Sequence, residues 1–217
     1  MTTVAQLVKV GFPRPAAERV VKQDKIAARL YAKDPSLGIT AHIMAGDQLS
    51  AQERLRQFRA GEMTAEQAVF LTGSYARVKL AHDLWREGAL SDEWIVRNLC
   101  HLWRGADPDD TDPRFLSMWK RARTLKGRYL RDGKGLPRSK VLTVYRGQDA
   151  GTKPGIAWSL DKGIAEKFAN GAALRQRGRD GEILVARINR DAVLGYNTGR
   201  GESEVVWDPF DDKALAE

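Results

Sequence analysis

Two acids one residue apart, Glu202-Ser203-Glu204, stand directly ahead of the apolar run Val205-Val206-Trp207. Residues two apart on a strand point the same way, so both carboxylates are expected on one face of a sheet. Like charges that close repel, and a cationic partner resolves the conflict. A solvated strand end is the plain competing reading. Upstream, Val141-Leu-Thr-Val-Tyr-Arg146 alternates like a strand and puts Arg146 on the face of Leu142 and Val144. A guanidinium among apolar side chains is costly unless it holds an anion. Ser159 ends a second short strand, Gly155-Ile-Ala-Trp-Ser159. The three segments together offer an anion holder, a hydroxyl and a cation-seeking pair of acids.

The order Tyr145-Arg146-Gly147, then Trp158-Ser159-Leu160, then Glu202-x-Glu204 resembles the R-S-E group of ADP-ribosyltransferases. The resemblance spans residues 141–207. Ser159-Leu160-Asp161 keeps only the first hydroxyl of the family's usual Ser-Thr-Ser. The resemblance implies cleavage of NAD, used as a co-substrate without a metal, and transfer of ADP-ribose to a target protein. Breaking the nicotinamide–ribose bond builds positive charge on the sugar, as in glycoside hydrolysis. A carboxylate gripping the ribose 2′-hydroxyl tightens as that charge grows.

By resemblance that carboxylate is Glu204, oriented by the Ser159 hydroxyl, while Glu202 binds and helps deprotonate the nucleophile. Arg146 would hold an NAD phosphate or the adjoining ribose, with Tyr145, Gly147, Trp158 and Phe168 lining the same site. Arg175 and Arg177, in a basic loop, are expected to clamp the pyrophosphate; a solvated loop is the alternative. A glutamate at 202 resembles the arginine-modifying members, and a guanidinium does need a carboxylate to act as nucleophile. Tyr196, in Gly195-Tyr-Asn-Thr-Gly-Arg-Gly201, is expected to stack on a substrate arginine or to lie exposed in a glycine-rich loop. Transfer to nucleic acid, NAD hydrolysis, and a basic binding protein without catalysis are the rival functions.

These segments need a sheet, and the chain supplies one late. Residues 139–217 read as a small mixed or antiparallel β-sheet with one helix after Asp161. Residues 1–138 read as a helical, basic target-recognition or accessory domain, giving an α+β chain of 217 residues. The expected helices run from Pro15 to Tyr31, from Ser50 to Phe58, from Thr64 to Gly88, from Ser91 through Trp103, and from Arg114 to Leu130. Capping-box patterns open the second and third of these. Trp85, Trp94, Trp103 and Trp119 have the spacing of core residues.

The net charge of +8 lies wholly in the first 140 residues. Segment 114–140 carries ten basic residues against Asp132, which suits either nucleic-acid phosphates or an acidic partner. The single cysteine, Cys100, excludes an internal disulfide, fits a reducing cytoplasm (that of a host cell included), and reads as a small packed residue. No metal-ligand spacing links His42, His82 and His101. No membrane-spanning run or secretory leader is expected.

Overall fold

A computed structural model describes residues 3–106, 109–171 and 180–216. Seven helices precede a six-stranded mixed sheet, and an eighth is inserted within it: an α+β chain. The helices are α1 (Val4–Lys9), α2 (Arg14–Lys33), α3 (Thr40–Arg59), α4 (Ala65–Phe70), α5 (Ser74–Arg86), α6 (Asp92–Arg104), α7 (Pro113–Lys126) and α8 (Lys162–Ala169). The strands are β1 (Leu130–Asp132), β2 (Val141–Asp149), β3 (Ala157–Ser159), β4 (Gly181–Asn189), β5 (Gly195–Asn197) and β6 (Glu204–Val206), in the order β1-β5-β6-β3-β2-β4. Among the described strands only β1 and β5 run parallel.

Helix starts follow local chemistry. Thr64 and Gln67 close a capping box on α4, Ser91 caps α6, and Asp112 with Pro113 opens α7. Two expected boundaries are corrected. Ser50 lies inside α3, whose buried Thr40, Ala41, Ala45 and Leu49 extend the helical face upstream of it. The helix expected from Thr64 to Gly88 is broken at Leu71–Gly73, where the Asp47 carboxylate fills the space of a Gly73 Cβ and accepts from the Tyr75 N–H. α7 stops at Gly127 in the left-handed conformation, and Leu130 passes into the sheet. The sheet thus begins ahead of residue 139, where the chain's character changes.

Helices and sheet share one core. Trp103, Phe115, Met118 and Trp119 pack with Leu130, Ile156, Leu194 and Val206 of the sheet. A Cβ on Gly195 would strike the Trp119 ring at 2.3 Å, which puts α7 on that face. α8 covers the same face farther along. A Cβ on Gly147 or Gly181 would meet the Ala165 or Ala169 backbone within 2 Å, so only glycine lets helix and strands approach so closely. The opposite face carries Leu142, Val144, Trp158, Tyr196 and Val205 beneath Leu136, Trp207 and Ala214. Between the two helical groups lies a strip of sheet at the β3–β6 junction.

Candidate active site

Register decides which side chains share that strip. Tyr145 pairs with Ser159, Ser159 with Glu204, and Glu204 with Asn197. Directly paired residues point to the same face, so all four lie on the side bearing α6, α7 and α8. Glu204 and Ser159 therefore stand together, as expected. Asn197 joins them, although β5 had read as part of a glycine-rich loop.

Glu204 is a partly buried carboxylate with one hydrogen bond among the described residues, Asn197 Nδ2 to its Oε1 at 2.7 Å. Its pKa is pushed up to about 7, chiefly by desolvation, with the negative charges of Glu202 and Asp110 adding to the shift. The Asn197 hydrogen bond and Arg200 oppose it. Asn197 is 5% exposed, and its Oδ1 makes no hydrogen bond. The neighbouring Cys100 on α6 is half-buried. Its thiol is pushed up to about 12 by burial first, then by the charges of Asp132 and Glu204, so it is an inert wall.

The Ser159 hydroxyl does not touch the Glu204 carboxylate. It donates to the Glu202 carbonyl at 2.5 Å and accepts from the Asp161 N–H at 2.9 Å. It fastens the backbone that delivers Glu204, while Asn197 holds the carboxylate itself. Glu202 also departs from the strand alternation. β6 begins at Glu204, and Ser203 has φ 46°, a left-handed conformation that turns the chain between the two acids. The acids are still electrostatically coupled, and Arg200 Nε lies 3.6 Å from Glu202 Oε1.

Arg146 occupies a different setting. Alternation places its Cβ on the face opposite Ser159 and Glu204, with Leu142 and Val144 as expected. The guanidinium ends in the seam between β2 and β3, where the two strands pair only at Tyr145–Ser159. Its Nη1 donates to Ala157 O at 2.6 Å and Asp110 Oδ2 at 2.6 Å. Its Nη2 donates to Asp110 Oδ1 at 3.1 Å and its Nε to Gln148 Oε1 at 2.9 Å. Asp110 also accepts the Ala157 N–H at 3.1 Å. Arginine and aspartate thus replace the missing ladder bonds of the splayed strands. The anion required by the apolar surroundings of Arg146 is the chain's own.

Two other expected lining residues turn away. Trp158 is buried on the opposite face against Trp207, with its Nε1 donating to Gly155 O at 2.9 Å. Tyr196 is 6% exposed in the same core, so it is neither in an open loop nor free to stack on a substrate. Both corrections have one cause: each residue neighbours a site residue on its strand and must point the other way. Tyr145 and Phe168 are half-buried on β2 and α8, and Gly147 is the point of contact between them. Arg175 and Arg177 lie outside the described residues. Among the described residues, no group of three or more His, Cys, Asp or Glu is placed to hold a metal ion. None of their helices is long and apolar enough to cross a membrane.

Glu204 thus stands beside Asn197, coupled electrostatically to Glu202 and Asp110, with a loop anchored by the Ser159 hydroxyl next to it. No protein-family model matches the chain, and no curated protein or solved structure matches it either.

Proposed function

We propose that the chain is an ADP-ribosyltransferase that cleaves NAD and passes ADP-ribose to an arginine of a target protein. The observation that carries this reading is Glu204: a carboxylate fixed by Asn197, repelled by the charges of Glu202 and Asp110, and without an ion pair among the described residues. Such a position is unfavourable while empty and favourable for a cation. NAD presents its positive charge on the nicotinamide ring, and as the glycosidic bond lengthens that charge passes to the ribose. The pair of electrons leaves with neutral nicotinamide. Glu204 gains most from the sugar cation and so binds the transition state more strongly than the ground state. Glu202 accepts the proton that the attacking guanidinium must lose. Arg200 already lies beside Glu202, which supports the view that this acid takes a guanidinium. Arg146 enters as the strut that keeps β2 and β3 correctly splayed.

Purified protein incubated with labelled NAD and a protein extract is expected to release nicotinamide and label protein. Glu204→Gln should reduce both by ~10²-fold or more. Glu202→Gln should reduce labelling while leaving much of the nicotinamide release. The cleaving form is the ionised one, so kcat/KM should climb from pH 6 to pH 8 and level off above the Glu204 pKa of about 7. Failure to release nicotinamide anywhere between pH 6 and pH 9 would exclude this function.

A further inference from the structure

The basic helix α7 proves to be largely answered by the protein itself. Lys120 pairs with Asp208 at 2.6 Å and Arg121 with Asp92 at 2.5 Å. Arg114 pairs with Asp112, and Arg123 donates to Val193 O at 3.3 Å. These cations staple the helix down. Four others do not. Arg138 and Lys140 precede β2, Arg190 follows β4, and Lys213 lies near the C-terminus; none makes an ion pair among the described residues. All four line one cavity of about 730 Å³, at the end of β2 remote from Arg146.

We propose that this cavity is a phosphate-binding site separate from the carboxylate-lined strip. Arg190 is held in place by the fold. The Arg190 N–H donates to Lys140 O at 2.8 Å, which locks the two flanks together. Arg190 Nε donates to Pro137 O at 3.0 Å while the guanidinium lies 5.9 Å from the centre of the Tyr129 ring. Neither Nη group has a hydrogen-bond partner among the described residues, and their forked arrangement suits phosphate oxygens.

Two acids, Asp191 and Asp211, also line the cavity. Asp211 Oδ1 is occupied by the Lys213 N–H at 3.1 Å. The cations outnumber the acids two to one, so the cavity favours an anion. Its volume lies within the roughly 300–1,000 Å³ of small-molecule sites and exceeds the needs of one inorganic phosphate. The chemistry fits linked phosphates, either a free nucleotide or a stretch of nucleic-acid backbone.

The test uses the full chain and a fluorescein-labelled single-stranded oligothymidylate, read by anisotropy at 50 and 200 mM KCl, with pyrophosphate and ADP as competitors. The double variant Lys140→Ala, Lys213→Ala changes two exposed residues, and an unchanged melting temperature will verify its fold. We expect wild-type binding to weaken at the higher salt. We expect at least tenfold weaker binding in the variant, with the salt slope reduced by about 1.5, the worth of two phosphate contacts on a single strand. Competition by pyrophosphate and ADP at micromolar concentration assigns the site to free nucleotides; displacement by unlabelled oligonucleotide alone assigns it to nucleic-acid backbone. No binding of any probe, or equal binding by wild type and variant, overturns the proposal.

Discussion

Arg146 and Glu204 sit two strands apart in one sheet, yet their surroundings are opposite in kind. Arg146 spends four of its hydrogen-bonding contacts on Asp110, Gln148 and Ala157, and both it and Asp110 have 14%-exposed side chains. Every charge in that seam is matched inside the chain. Among the described residues Glu204 has one hydrogen bond, from a neutral amide, and the charges of Glu202 and Asp110 repel it. The seam is therefore organised to be stable without a ligand. The Glu204 strip is organised at some cost, and a cation offsets that cost. How completely the chain answers a buried charge separates a structural residue such as Arg146 from a candidate for chemistry such as Glu204.

That division is easiest to break at Arg146, where the largest effect is expected. Arg146→Ala leaves the Asp110 carboxylate and the Ala157 carbonyl without their partner in a site with little solvent. Removing one member of a buried pair costs about 3–5 kcal/mol, so chemical denaturation should show a loss of that order. Adding Asp110→Asn should recover part of it, and Arg146→Lys should recover little, because an ammonium cannot span both carboxylate oxygens and a carbonyl. A melting curve unchanged in Arg146→Ala would show that the guanidinium is not the strut described here.

Glu204 gives the next largest effect, with the opposite sign. Its folded pKa of about 7 lies above the ordinary 4.5, so the folded state holds this proton more tightly than the unfolded state does. The associated stability is complete below pH 4.5 and is lost as the pH rises through 7. At pH 8 the wild-type chain must keep an ionised carboxylate in a position that disfavours it. Glu204→Gln should therefore be more stable than wild type at pH 8, by on the order of 2 kcal/mol, and the gap should close by pH 4. A gain in stability together with a loss of catalysis would set Glu204 apart from Arg146 at one stroke. Equal stability at every pH would mean that the carboxylate is well solvated.

Much of this arrangement was legible in the residues. Alternation in Val141–Arg146 and the apolar run Ile183–Ile188 specify β2 and β4, and Thr64, Ser91 and Asp112 announce their helices by side-chain capping. The neighbourhood of Ser159 and Glu204 was implied by the family resemblance, and the pairing of β3 with β6 brings the two residues together. Asp110 was hidden because it lies in a Pro- and Asp-rich turn that reads as a break, 36 residues from the arginine it neutralises. Asn197 was hidden because a three-residue strand between glycines carries too little periodicity, and its value depends on pairing opposite Glu204. Trp158 and Tyr196 were misplaced because each adjoins a site residue on its strand and alternation turns it to the other face. Which face a residue occupies is fixed by register, a long-range property that one short strand does not reveal.

The smallest effect concerns the turn that separates the two acids. A non-glycine residue at φ 46° costs roughly 1–2 kcal/mol in left-handed geometry, and Ser203 bears that cost between Glu202 and Glu204. Ser203→Gly removes the strain but adds freedom to the unfolded chain worth about 0.5–1 kcal/mol. A net gain of only about 0.5 kcal/mol is expected. Ser203→Ala keeps the β-carbon and should gain nothing, so the two variants together separate strain from any contribution of the hydroxyl. Catalysis supplies the sharper reading. If the turn serves to aim Glu202 while β6 carries Glu204, the glycine variant should retain nicotinamide release and lose part of its transfer to arginine. Equal loss of both would tie the turn to Glu204 instead, and the two acids would then have to be treated as one group.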